Sequence, residues 1–255
     1  MLVALIRDVS PSLQRCELTH RPRRPIDVAL ARRQHRRYER RLADLGCTIH
    51  RLPTGTEWPD SVFIEDTAMV LDELAIIARP GAESRRAETT AVAETLRAFR
   101  SLLYIEPPGT LDGGDVLRLG QTVYVGVSSR SNQAGFEQVR RVLTPYGYAV
   151  KAVEVSGCLH LKSAVTSVGE NTLLVNRAWV DADAFGDVAL IDVDPSEPFG
   201  GNALLVNETV IYPSGYPRTR RKLQAHGIRI QTVDVSELGK AEGGVTCCSL
   251  IFSVR

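Results

Sequence analysis

The residues of this chain with the greatest reactive potential gather in three short segments. Glu242-Gly243-Gly244-Val245-Thr246-Cys247-Cys248-Ser249 delivers a pair of thiols behind two glycines, Leu159-His160-Leu161-Lys162-Ser163 holds one histidine between aliphatic residues, and Thr110-Leu111-Asp112-Gly113-Gly114-Asp115 sets two carboxylates around a glycine pair. Thiol, imidazole and carboxylate supply a nucleophile, a proton carrier and an orienting group. The segments lie far apart in sequence, so only a fold can assemble them into a hydrolytic set. A fourth segment, Pro59-Asp60-Ser61-Val62-Phe63-Ile64-Glu65-Asp66, adds three more acids. Unpaired buried carboxylates are costly and take up protons, so acids collected at one place call for a bound cation. Magnesium or calcium would satisfy the oxygens but leaves the thiol and the imidazole without a task. A guanidinium accounts for all three, because it is planar, permanently charged, offers a fork of donors to carboxylates and has a central carbon open to a thiolate. A free thiol, with a pKa of about 8.5, is only a few per cent ionised at neutral pH. A cation about 4 Å away at an effective dielectric near 20 is worth roughly 4 kcal/mol, or about three pKa units, so a cationic substrate activates its own attacker. Conversely, an empty anionic pocket holds the thiol protonated.

The elements that must position these residues repeat along the chain. Asp66-Thr67-Ala68-Met69-Val70 with Leu74-Ala75-Ile76-Ile77-Ala78 sets a pattern of a small polar residue, an apolar run, a turn and a second apolar run. The pattern returns at Asp115, Ser163 and Asn202, so that successive starts lie 49, 48 and 39 residues apart. Three of the units continue through a turn carrying Arg85, Arg130 or Arg218 into an amphipathic helix (87–99, 133–143 and 218–226) and then a further apolar run. With an N-terminal unit built on Met1–Asp8 and an arginine-rich helix, five β-β-α-β units account for the 255 residues. Five such units closing on an axis predict an α/β fold, a five-bladed propeller with helices outside, in which Asp66, Asp115, Ser163 and Asn202 converge on a central cavity. A single mixed α/β sheet is the alternative. No Pro/Gly/Ser-rich linker interrupts the pattern, so residues 1–255 are expected to form one catalytic domain.

Bulk properties narrow the function. Hydrophobic content of 44% and charged content of 24% are ordinary for a globular protein, and no apolar run approaches the ~20 residues that cross a bilayer. The N-terminal stretch lacks a basic region and is too short for a signal peptide, so a cytoplasmic protein with no membrane partner is expected. Ten arginines fall between Arg15 and Arg41, yet the net charge is +1. Ala31, Gln34, Tyr38, Leu42 and Leu45 keep a helical stripe, which makes the intervening arginines a solvated helix face rather than a nucleic-acid footprint. The five cysteines contain no CxxC, so reduced thiols are expected rather than disulfides or a zinc ribbon.

Phe63-Ile64-Glu65-Asp66, Arg79-Pro80-Gly81-Ala82-Glu83-Ser84-Arg85-Arg86, Thr110 to Asp115, Leu159 to Lys162 and Gly243 to Cys247 together resemble the dimethylarginine dimethylaminohydrolase family, in the family's order and over nearly the whole chain. The resemblance implies the pentein-type propeller of the guanidine-modifying superfamily, with no cofactor and no metal. It also implies hydrolysis of asymmetric dimethylarginine or monomethylarginine to citrulline and dimethylamine or methylamine, through a thiouronium on the cysteine. Carried over, Cys247 is the nucleophile, His160 the acid and then the base, and Asp112 the carboxylate that orients it. Bacterial relatives often carry Glu at this last position, so the shorter Asp resembles the animal-type enzymes. Asp60, Glu65 and Asp66 match the acids that hold the substrate's cationic end and body, and Arg85 and Arg130 the pair on its α-carboxylate. Leu18 and Ala241 match positions whose main-chain carbonyls meet the α-amine, Ala241 standing where relatives often have a larger aliphatic residue. Cys248 is read as structural, turned away from Cys247 on an extended chain. Family members occur as monomers and dimers. The nearest rival is a deiminase acting on free arginine or another small guanidine. A papain-type thiol hydrolase is disfavoured because His160 precedes Cys247 by 87 residues.

Overall fold

The middle strand of each repeat is apolar on both faces, and a strand of that kind has to be covered from both sides. The computed structural model, which describes residues 1–54 and 56–254, meets this demand with five three-stranded sheets arranged as the blades of a propeller. The first blade contains β1 (Leu2–Arg7) and β2 (Cys47–Leu52), and the second β3 (Ala68–Val70), β4 (Leu74–Ile77) and β5 (Ser101–Tyr104). The third holds β6 (Val116–Leu119), β7 (Thr122–Val127) and β8 (Ala149–Glu154), the fourth β9 (Val165–Gly169), β10 (Thr172–Val175) and β11 (Ala189–Asp192), and the fifth β12 (Leu204–Val206), β13 (Thr209–Pro213) and β14 (Arg229–Val233). A last strand, β15 (Leu250–Ser253), lies antiparallel against β1 and completes the first blade.

Within each blade the first pairing is antiparallel and the second parallel, and a parallel pairing needs a crossover. Helices α1 (Val28–Asp44), α2 (Thr89–Leu96) and α3 (Gln133–Leu143) provide it in the first three blades; α4 (Leu161–Ala164) is a single turn that leads into β9. Helix α5 (Pro217–Ala225) crosses the fifth blade, and the short α6 (Ser236–Gly239) follows β14. The Asp27 carboxylate accepts from the Leu30 N–H and the Asn132 side chain from the Gly135 N–H, which fixes where α1 and α3 begin.

Successive side chains of a strand point to opposite faces, and here that alternation closes the ring. Val3 and Leu5 pack with Ala75 and Ile77, whereas Ala4 and Ile6 pack with Ile211 and Val233. Ile76 meets Val123 and Val125, Tyr124 meets Leu173 and Val175, and Leu174 meets Val210 and Tyr212. Five apolar interfaces therefore run round the molecule, one between each pair of neighbouring blades.

The four aligned segments of the repeat are β3–β4, β6–β7, β9–β10 and β12–β13, and the expected propeller is the one observed. Two units depart from the β-β-α-β pattern. The first has no leading strand of its own and takes β15 from the far end of the chain, and the fourth replaces its helix with a 3₁₀ turn at Ala182–Phe185. In β15, Phe252 is buried and its ring lies 5.4 Å from that of Phe99. Phe252→Ala is expected to cost about 3–5 kcal/mol, read as a lowered urea midpoint, because a cavity opens in the interface that holds the closing strand.

Candidate active site

His160 stands immediately before α4, and its imidazole is held from two sides. Nε2 lies 3.0 Å from Asp112 Oδ2, and Nδ1 lies 3.8 Å from Asp66 Oδ1. Asp112 is itself fixed, since its other oxygen accepts from the Gly81 N–H at 2.8 Å and its N–H donates to Ser131 Oγ at 3.0 Å. Asp115 pins the chain just beyond the histidine: Oδ1 accepts from the Leu161 N–H at 2.8 Å, and Oδ2 accepts from the hydroxyls of Ser128 and Ser131, both at 2.7 Å. Asp66 accepts from the Gly114 N–H at 3.0 Å and from Arg85 Nη1 at 2.5 Å. The glycine pair of this segment is required by close approach. A Cβ on Gly114 would stand 2.6 Å from His160 Nδ1, and one on Gly113 would stand 2.0 Å from the Glu65 carbonyl oxygen.

This arrangement decides the protonation states. Burial disfavours a charged imidazole, but Asp66, Asp112 and Asp115 outweigh it and push His160 up to about 9, so it is an imidazolium at neutral pH. Burial would likewise raise Asp66, and His160 and Arg85 instead hold it below the ordinary carboxylate range. Burial pushes Asp60 and Asp115 each up to about 6.

Cys247 lies in the turn that precedes β15, not on an extended chain, which corrects the expected backbone of the thiol pair. Its Sγ accepts from the Gly244 N–H at 3.3 Å. Cys248 is buried and donates to the Gly244 carbonyl oxygen at 3.5 Å, a structural position as expected. Gly243 and Gly244 permit tight packing: a Cβ on Gly243 would stand 2.1 Å from the Phe63 ring, and one on Gly244 would stand 2.3 Å from Asn202 Oδ1. Burial pushes the Cys247 thiol up to about 12, with Glu65 and Asp66 adding to the effect.

Eight of the ten residues singled out from sequence (Cys247, His160, Asp112, Asp60, Asp66, Arg85, Arg130 and Ala241) line one narrow slot of about 20 Å³. Arg85 is buried in its wall, with Nη1 on Asp66, and Nη2 on Glu88 and on the Phe63 carbonyl, both at 2.9 Å. Arg130 stands half-buried at the mouth, where Nη2 donates to Thr19 Oγ1 at 3.1 Å. The other two residues lie elsewhere. Leu18 packs, half-buried, on the core shared by the first and fifth blades, while its neighbour Glu17 lines the slot and donates its N–H to Asp60 Oδ2 at 3.1 Å. Glu65 faces the cavity on the opposite side of the ring, ion-paired to Lys162 and accepting from Thr246 Oγ1 at 2.7 Å. With Asn202, whose Oδ1 accepts from the Thr246 N–H at 3.1 Å, these residues form a floor beneath the thiol.

Two features have no sequence signal of their own. Glu242, at φ +60, turns its carboxylate onto the segment above the slot and accepts from the N–H groups of Thr19, His20 and Arg21 at 3.0, 2.6 and 2.5 Å. Arg21 and Arg23 belong to the same fastening, not to a helix face. The Arg21 guanidinium lies 3.7 Å from the Phe199 ring centroid, and Arg23 donates to the carbonyls of Gln14 and Cys16, both at 2.6 Å. Asp66, Asp112 and His160 also stand close enough to ligate one metal ion, but a ligand imidazole must be neutral, and both the protonation of His160 and the Arg85–Asp66 ion pair oppose a metal.

Two outcomes follow from this geometry. A thiol raised above its ordinary value stays protonated until the pH approaches that higher value, so iodoacetamide inactivation of the empty protein is expected to keep accelerating beyond pH 9; a plateau near pH 8.5 would contradict the burial described here. Glu242→Gln removes the charge from the acceptor of three N–H groups, and trypsin cleavage after Arg23 is expected to speed up by about tenfold, with little change in unfolding midpoint.

The fold is that of known proteins. A family model described as eukaryotic N,N dimethylarginine dimethylhydrolase matches residues 20–253. The N(G),N(G)-dimethylarginine dimethylaminohydrolase of Pseudomonas aeruginosa is 40% identical over 228 residues, covering 89% of this chain and 90% of its own length. That of Streptomyces coelicolor is 39% identical over 257 residues, covering 97% and 95%. Among solved structures, a cysteine-to-serine mutant of the Pseudomonas aeruginosa enzyme complexed with citrulline superposes with a TM-score of 0.93 at 38% identity, over 98% of each chain.

Proposed function

The chain belongs to the dimethylarginine dimethylaminohydrolase family and is a hydrolase of the dimethylargininase type, and we propose that it converts Nω-methylated L-arginine and water to L-citrulline and methylamine or dimethylamine through a covalent intermediate on Cys247. The observation that carries this reading is the slot itself, where the Cys247 thiol, the His160 imidazolium and the carboxylates of Asp60 and Asp66 face one small space. Asp60 and Asp66 receive the cationic end of the substrate, with Glu65 acting through the floor. Arg130 meets the α-carboxylate at the mouth, and Arg85 presents its remaining donor beside it. Main-chain groups around Leu18 and Ala241 take the α-amine. Residues 1–255 act as one catalytic unit on a free small molecule.

His160 is charged in the empty site, so it begins the cycle as an acid. The Cys247 sulfur bonds to the guanidinium carbon, His160 gives its proton to the methylated nitrogen, and the carbon–nitrogen bond breaks to release the amine and leave a thiouronium. The now neutral His160, oriented by Asp112, takes a proton from water. The resulting hydroxide adds to the same carbon, the carbon–sulfur bond breaks as the hydroxyl proton passes to the departing sulfur, and citrulline departs with the thiol restored and His160 charged again. These steps use only side chains and water.

The thiol sets the threshold. It starts from about 12 in the empty site, not near the solution value. A guanidinium worth about three pKa units brings it to about 9, so on the order of one per cent is thiolate at pH 7 in the complex, against about one part in 10⁵ without it. The substrate cation therefore supplies a gain of about a thousandfold in nucleophile, and a neutral isostere forfeits it.

The test is citrulline release from dimethylarginine, monomethylarginine and arginine, measured side by side. Methylated substrates are expected to exceed arginine, Cys247→Ser to lose at least about 10³-fold in kcat, His160→Gln about 10²–10⁴-fold, and Cys248→Ser only a few-fold. Undiminished turnover by Cys247→Ser would remove the mechanism, and faster release from arginine would assign the chain to a deiminase instead.

A further inference from the structure

Cys247 borders two spaces. One is the polar slot; the other is a chamber of about 200 Å³, with Leu159, Glu242, Gly243 and Cys247 forming the wall common to both. The chamber is mostly apolar, walled by Leu159, Pro213, Val235 and the rings of Phe199 and Tyr216, and roofed by the Arg21 guanidinium stacked over Phe199. The slot already offers Asp60, Arg85 and Arg130 to the amino-acid end of a substrate, which leaves the chamber free for another part of it.

We propose that this chamber is the amine-side pocket of the reaction, taking the substituents on the departing guanidinium nitrogen, and that it admits N-alkyl groups larger than methyl. The inference rests on the reading of the slot as the site of a methylarginine hydrolase. The departing nitrogen has to stand where His160 can protonate it, and Cys158, Leu159 and Ser163, which flank that histidine in sequence, all form part of the chamber wall. The substituent carried by that nitrogen is apolar, as the chamber is, and burying each CH₂ group there is worth about 0.8 kcal/mol. Size points the same way. A dry cavity of about 150 Å³ accommodates benzene, so 200 Å³ far exceeds two methyl groups and suits a chain of three or four carbons. Asp234 also lines the chamber, and its carboxylate suits an amine that leaves as its ammonium ion.

The experiment compares Nω-butyl-L-arginine with dimethylarginine as substrates of the full-length protein, following citrulline and the released amine. Wild-type protein is expected to release butylamine with a KM within about tenfold of that for dimethylarginine. Two variants on different walls fill the chamber, Ser163→Leu and Tyr216→Trp. Each is expected to raise the KM for the butyl substrate by at least about tenfold while leaving dimethylarginine turnover within about twofold. Dimethylarginine turnover with neither turnover of nor competition by the butyl compound overturns the chamber and leaves the methylarginine reading intact. The same holds if both variants leave butyl turnover unchanged, or if they slow the two substrates equally. Absence of dimethylarginine turnover in the wild-type protein instead overturns the reading beneath it.

Discussion

The structure depends on one buried ionic contact, that of Asp66 with Arg85 on one oxygen and with the Gly114 N–H and the His160 ring on the other. Removing one partner of a buried pair leaves an uncompensated charge, at a cost of about 3–5 kcal/mol. Other features can be read as supports for this contact. Glu88 holds Arg85 from behind, Asp115 pins the backbone after His160, and the glycine pair lets the second and third blades come close enough for the histidine and the carboxylate to meet. The same contact sets the chemistry, because it keeps the imidazole charged and leaves the nearby sulfur short of positive charge. On the mechanism proposed above, a site assembled to hold a proton on His160 is poised for leaving-group protonation and waits for a cation to ionise the thiol.

Around Cys247 the ring divides into three regions. The slot is polar and narrow, the floor is made of Glu65, Lys162, Thr246 and Asn202, and the chamber is apolar. The alternation that makes the propeller accounts for part of this division. Glu65 and Asp66 are adjacent in a 3₁₀ turn, so one carboxylate goes below the sulfur and the other beside it.

Much of this was legible in the sequence. The repeat identified the inner hairpins of four blades, because alternating apolar residues with turns between them can be counted along a chain, and the helices of four blades followed from their 3.6-residue stripes. Cys247 and His160 stood out because cysteine and histidine are scarce, with five of each in the chain, and Asp112 because it adjoins a glycine pair. What escaped depends on distance or burial. The pairing of β15 with β1 joins residues almost the whole chain apart, as in Leu2 with Ser253, and nothing local announces it. The grip of Glu242 on three main-chain N–H groups involves no partner side chain, so no pattern of residue types records it. The thiol was read with its solution pKa because burial is a property of the assembled ring. Glu65 was grouped with its neighbours in sequence, although the backbone turn sends it to another face.

The strand that closes the propeller begins only three residues after Cys247. In a chain made from its N-terminus, β1 therefore waits for its antiparallel partner through the synthesis of the four intervening blades, and the Cys247 sulfur is translated just before that partner. Ring closure and completion of the slot thus become one event. A partly synthesised chain, even with the histidine and all the acids already in place, lacks the thiol that faces them, and the slot is complete only when the last blade edge is sealed.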